Sequence, residues 1–145
     1  MSKEFSYGVV PYLIINGSYF LLLNKTSKSS YYNFFKGKTE PNESKEDTAI
    51  REFLEETGVL IDKENLEDYV EQKNKRKDIG IFLLDFSKYN NKIFKFDEKE
   101  IYSATWVNIN NYIEVSKNQK EILLGVKKLF TPKIIKLEKI YNYTS

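Results

Sequence analysis

The chain has 145 residues, with 23 Lys and Arg against 21 Asp and Glu, and contains neither histidine nor cysteine. Disulfides, thiolate nucleophiles and Cys-ligated metal centres are therefore excluded, and acid–base chemistry falls to carboxylates, Lys, Arg, Tyr, Ser or Thr. A net charge of +2 provides no general field for nucleic acid or anionic membrane, so neither DNA nor a membrane is expected as a partner.

One domain over residues 1–145 is the expectation, cytoplasmic because no leader or membrane span is read. Val9 to Ile15 and Tyr19 to Leu23 are apolar runs of strand length, and Asn16-Gly17 between them suits a tight hairpin turn. Residues 24–33 are polar, and Phe34 to Asn42 reads as their continuation into a turn-rich loop. Ser44 can cap a helix over 45–57, with Asp47 three residues on and Gly58 as its stop. On that helix Ile50, Phe53 and Leu54 form the expected core arc.

After it, Val59 to Ile61 is apolar, Ile79 to Phe86 reads as a buried strand, Asn90-Asn91 as a turn and Ile101 to Val107 as another strand. Ile122, Leu123, Val126, Leu129 and Phe130 recur at helical spacing, which predicts an amphipathic helix over 117–130 closed by Pro132. Residues 132–145 are left as a short strand or a loose tail.

Glu52, Glu55 and Glu56 share one arc of about 100° on the first helix. Like charges at this spacing repel, and Arg51 neutralises only part of the cluster. An arbitrary Glu-rich helix face is simply solvated, but hard oxygen donors with no His or Cys also suit Mg²⁺ or Mn²⁺. Spacing decides between these readings. Gly37, Glu43, Arg51-Glu52-Phe53, Glu55-Glu56 and Gly58-Val59 occupy every position of the Nudix box, G-x5-E-x7-R-E-U-x-E-E-x-G-U, where U is bulky and apolar. A chance match in a chain of this length is on the order of one in ten million at ordinary residue frequencies.

The chain thus resembles the Nudix hydrolases. The resemblance implies an α+β Nudix fold, a mixed sheet sandwiched between helices. It also implies two or three Mg²⁺ ions, with Mn²⁺ as a substitute, held by the positions matching Glu52, Glu55 and Glu56. Arg51 would orient a glutamate, and the ions would activate a water for attack on a diphosphate. Lys36, directly before Gly37, is a candidate to meet phosphoryl charge. With no histidine the general base must be a carboxylate, and Glu100 is the choice. It resembles a family glutamate that enters from the loop before the strand of Trp106 and adds a metal ligand; Glu98 and Glu52 are the other candidates.

Ser6-Tyr7-Gly8-Val9-Val10-Pro11 and Phe35-Lys36-Gly37-Lys38-Thr39-Glu40-Pro41-Asn42-Glu43 look like the asymmetric dinucleoside tetraphosphate hydrolases, whose motif reads P-K-G-x-x-E-P-G-E. Phe35 and Asn42 stand where that motif has proline and glycine. The implied substrate is a dinucleoside polyphosphate such as diadenosine tetraphosphate. RNA 5′-pyrophosphohydrolase or messenger-RNA decapping activity is the alternative, and an idle nucleotide-sensing module is the reading from another class. Tyr32 matches an aromatic position before the box that could stack on a base. Lys73, Lys75, Arg76 and Lys77 form a basic run, read as a solvated hairpin tip or as a hold for a polyphosphate tail or RNA backbone.

Overall fold

A computed structural model of the chain describes residues 2–144, with side chains described to residue 133. Strand β1 (Glu4–Ile15) turns back into β2 (Ser18–Lys25) through Asn16 and Gly17. Both turn residues take positive φ, 51° and 80°, which matches the twist of a two-residue hairpin. Strand β3 (Phe35–Lys38) leads to helix α1 (Lys45–Thr57), after which come β4 (Leu66–Lys73), β5 (Lys77–Asp85), β6 (Ser103–Asn108) and helix α2 (Lys120–Thr144). The sheet runs β4-β5-β1-β2-β6, with β3 also paired to β1. Only the central pair β1 and β5 is parallel, so the sheet is mixed.

The two helices cover opposite faces. Alternation along β1 sends Val9 toward α1 and Val10 toward α2. On the α1 side, Ala49 and Phe53 pack with Val9, Leu22, Phe35 and Leu84. On the other side, Ile122, Leu123, Val126 and Phe130 of α2 meet Val10, Leu21, Leu23 and Ile81. Burying each of these larger apolar side chains stabilises the chain by about 1.5–3 kcal/mol. Among the described residues no helix is long and apolar enough to cross a membrane.

Helix α1 has the expected bounds: the Ser44 Oγ accepts from the Asp47 N–H at 3.1 Å, and Gly58 ends the helix at φ 75°. Its core arc differs from the expectation. Phe53 is buried, but Ala49 and Glu56 share that face while Leu54 is 41% exposed. The sheet contacts α1 along the Ala49–Phe53–Glu56 line, a rotation that periodicity alone does not fix.

The segment read as a loop before the box contains β3, because Phe35 to Lys38 pair with Ser6 to Val9 and bury Phe35 completely. Strand β4 was not legible, its residues being largely solvated on one side. Val59 and Ile61 are buried without forming a strand, and the last strand begins at Ser103 rather than Ile101. Pro132 does not close α2: after a 3₁₀ turn at Lys117–Gln119 the helix continues through it to Thr144, in place of the short strand or loose tail. An internal proline costs an α-helix roughly 3 kcal/mol.

Candidate active site

The box begins where β3 passes under α1. An ideal Cβ on Gly37 would lie 1.9 Å from the Glu52 Cδ, so only glycine leaves room for that carboxyl to rest on the strand. Gly37→Ala is expected to fold normally, since the clash falls on the far end of a flexible side chain. It should nonetheless cut kcat/KM by at least about tenfold, because catalytic groups displaced by an ångström lose rates of that order or more. Near-normal kcat/KM, with thermal melting to verify folding, would show that the Glu52 position is unimportant.

Arg51 organises the acidic residues. Its Nε and Nη2 donate to the two Glu43 oxygens at 2.7 and 3.0 Å, and its Nη1 donates to Glu52 Oε1 at 3.0 Å and Glu55 Oε1 at 3.2 Å. Nη2 also reaches the Lys38 carbonyl at 3.0 Å. Hydrogen bonds from Arg51, opposed by partial burial and helped by the Glu40 N–H and the Thr48 hydroxyl, hold the Glu43 carboxyl down to about 2. Arg51 is shifted upward, chiefly by Glu43. Glu43 is the supporting residue that sequence reasoning missed, although its box position was the available signal. Its bidentate grip ties the loop after β3 to α1.

The Asn42 departure is accommodated: it takes φ 67°, the left-handed region that glycine favours and asparagine tolerates. Phe35, in the place of proline, is buried against Phe53 and Phe96 at ring distances of 5.8 and 6.2 Å.

Glu56 lies on the buried face of α1, 8% exposed, with its Oε1 unpartnered. Burial first, then repulsion from Glu52, opposed by Lys36 and reinforced by Glu100 and Glu55, pushes its carboxyl up to about 8. Glu52 is also raised, mainly by burial, against its hydrogen bond from Arg51. Lys36 is pushed down to about 8 by burial and then by the Lys77 ammonium, while Glu56 and Glu52 work in the opposite sense.

Glu100 arrives from a distant segment. The Asp97 N–H donates to the Glu56 carbonyl at 3.0 Å and the Ile101 N–H to the Asp97 carbonyl at 2.8 Å. The turn between them brings the Glu100 charge within range of both Glu52 and Glu56.

Tyr32 is not drawn into this cluster. It bridges to Val115, packs at the edge of the α2-side core and carries the Lys25 ammonium over its ring at 4.7 Å. The basic run does form a hairpin tip, between the end of β4 at Lys73 and the start of β5 at Lys77.

The donors fit a hard divalent cation chemically: several carboxylates repel one another around a buried oxygen that no protein donor satisfies. Among the described residues no three acidic side chains already form a cage for an ion. Arg51 holds Glu52 and Glu55 on its guanidinium, from which a cation would have to draw them.

The NUDIX domain profile matches residues 7–126. The chain belongs to the Nudix hydrolase family. Its fold is shared by a MutT/nudix family protein from Enterococcus faecalis, at 19% identity and TM-score 0.59 over 74% of this chain but only 44% of that one. It is shared equally by an Ap4A hydrolase from C. elegans, crystallised as a binary complex, at 20% identity and TM-score 0.57 over 97% of each chain. The NUDIX domain of Shewanella oneidensis NrtR, complexed with ADP ribose, matches at 12% identity and TM-score 0.65 over 90% of each chain. No curated protein sequence matches the chain.

Proposed function

We propose that this Nudix enzyme is a divalent-cation-dependent pyrophosphohydrolase that cuts a diphosphate linkage in a nucleoside diphosphate-X substrate, first among them a dinucleoside polyphosphate such as diadenosine tetraphosphate. The observation that carries this is the complete box folded so that Glu52 rests on Gly37 while Glu56 offers a buried, unpartnered oxygen. The Lys36-Gly37 and Glu40-Pro41 sequence of the box loop and the resemblance in fold to an Ap4A hydrolase support the substrate class.

Glu52, Glu55, Glu56 and Glu100 would hold two or three Mg²⁺ ions, with Mn²⁺ as a substitute. When bound, such ions neutralise the diphosphate and lower the pKa of an attacking water. Glu100 would take the proton from that water. Lys36, partly buried and within electrostatic range of Glu52 and Glu56, would offer its ammonium to the phosphoryl oxygens. Arg51 keeps Glu55 and Glu52 aligned without contacting substrate. Tyr32 would stack a base, in competition with the Lys25 ammonium for one face of its ring.

A panel of dinucleoside polyphosphates, nucleoside triphosphates, nucleotide sugars, capped RNA and 5′-triphosphate RNA, each with Mg²⁺, tests this reading. Fastest turnover on the dinucleoside polyphosphates is expected. Preference for the RNA substrates would replace the small-molecule reading with a decapping or pyrophosphohydrolase role on RNA, and tight binding without turnover would identify a sensing module. Arg51→Ala should lose activity by misorienting Glu55 and Glu52, so excess Mg²⁺ should restore part of it. A defect confined to KM and indifferent to Mg²⁺ would make Arg51 a substrate contact instead.

A further inference from the structure

Residues 90–102 form neither helix nor strand. Irregular connections beyond roughly 12–15 residues are uncommon in compact domains and are usually functional or disordered. This one, near that length, is tied down. The Lys95 and Asp97 N–H groups donate to the Thr57 and Glu56 carbonyls at 2.8 and 3.0 Å. Those are the last two residues of α1, whose carbonyls have no partner within the helix. A Cβ on Gly58 would lie 3.2 Å from the Lys95 Cβ, so the segment crosses directly over the helix stop.

Phe94 and Phe96, on either side of Lys95, make the core contact instead, as alternate residues of an extended segment do. Their rings continue a near-parallel stack: Phe86 to Phe94 at 4.8 Å and 15°, Phe94 to Phe96 at 5.1 Å and 15°, and Phe96 to Phe35 at 6.2 Å and 10°. The stack runs from just beyond β5 to the start of β3, where Phe35 is completely buried directly before Lys36-Gly37. Phe35 also meets Phe53 of α1 edge-on at 5.8 Å. One ring thus abuts both the helix of the box and the segment that crosses its end.

Beyond Phe96, the Asp97 carbonyl accepts from the Glu100 and Ile101 N–H groups at 3.1 and 2.8 Å, and its Oδ1 from the Lys99 N–H at 3.0 Å. Ile101 is buried in the same core, and the Tyr102 N–H donates to the Lys25 carbonyl at 2.8 Å. Glu100 differs here from the glutamates of α1. Arg51 grips Glu52 and Glu55, whereas among the described residues no Lys or Arg pairs with the Glu100 carboxylate. Its place follows from where the segment is seated. We propose that Phe96 is the positioning residue for Glu100: lodged between Phe94 and Phe35, it seats residues 93–101 on the end of α1 and so sets where the Glu100 carboxylate stands relative to Glu52 and Glu56. The assignment rests on the reading of Glu100 as base or metal ligand. A ring that only filled space would support folding without governing Glu100.

Two measurements on the full chain separate these roles: amide hydrogen exchange in EDTA, and steady-state kinetics with Mg²⁺ on the substrate that wild type turns over fastest. Phe96→Ala should speed exchange of the Lys95, Asp97 and Ile101 N–H groups at least about tenfold while amides in the middle of α1 keep their protection. It should lower kcat at least about tenfold with little change in KM. In a Glu100→Gln background the same substitution should cost almost nothing more, because a group already removed cannot be misplaced. Phe96→Leu, which keeps an apolar side chain in the seat, should recover most of both losses. Leu123→Ala, in the core on the other face of the sheet, should lower melting while leaving kcat unchanged.

Unchanged exchange in Phe96→Ala overturns the seating. An undiminished loss of kcat from Phe96→Ala in the Glu100→Gln background overturns the positioning role, because Phe96 would then act on something else. Near-normal kcat in Phe96→Ala beside a crippled Glu100→Gln overturns it too and leaves the reading of Glu100 intact. Near-normal kcat in Glu100→Gln itself overturns that reading and this role with it, and faster exchange would then mark Phe96 as a structural seat alone.

Discussion

Replacing Glu56 by glutamine is expected to lower kcat by about 10²-fold or more at saturating Mg²⁺ while the chain still folds. The substitution keeps shape and volume in a buried position and removes the unpartnered carboxylate oxygen proposed to meet the cation. It also carries a stability signature. The folded carboxyl titrates at about 8 rather than at 4.5, first because it is buried and next because Glu52 is near. Ionising it is therefore costlier in the folded chain than in the unfolded one. Without metal, the contribution of Glu56 to stability should be fully present below the ordinary carboxylate range and be lost as pH rises from about 4.5 to about 8.

Glu56→Gln lacks that decline, so in EDTA near pH 8 the variant should melt higher than wild type. Added Mg²⁺ should raise the wild type alone, because a cation that binds only the folded state stabilises it. Glu55→Gln, at a solvated position on Arg51, should lose kcat comparably without the gain in stability. Near-normal kcat in the Glu56 variant, or identical melting across this pH range, would remove Glu56 from the metal site.

Glu100→Gln is the second large effect, a fall in kcat of about 10²-fold or more with little change in KM and an altered acidic limb of the pH–rate profile. The turn that carries Glu100 is hydrogen-bonded to the end of α1 through the Asp97 N–H at 3.0 Å, and its charge acts on Glu52 and Glu56. Without histidine, a water attacking phosphorus needs a carboxylate to accept its proton. Glu98→Gln, on the same turn, should do much less. The reverse result, a crippled Glu98 variant beside a healthy Glu100 variant, would mean that the turn presents the wrong residue. If neither matters, the base lies within the box, with Glu52 first.

The strength of the box in the sequence has a local cause. Its helix is bounded by its own cap and stop, Ser44 and Gly58, and its three glutamates share an arc because of helical geometry alone. The hairpin at Asn16-Gly17 was legible for the same reason, since its positive φ angles depend on those two residues. Family, fold class and the acidic cluster could thus be reached without coordinates.

What only the tertiary structure decided depends on partners far away in the chain. The short Phe35–Lys38 strand exists because β1 supplies its hydrogen bonds. The rotation of α1 that buries Glu56 and exposes Leu54 is set by the sheet beneath it. The Glu43 clasp on Arg51 requires a loop to fold back on a helix, and the approach of Glu100 depends on a turn pinned to the end of that helix. Lys77 lies 41 residues from Lys36 yet bears directly on its charge. Local spacing specifies which groups stand together on one element, but the charges of several elements meet only once the sheet has brought them together.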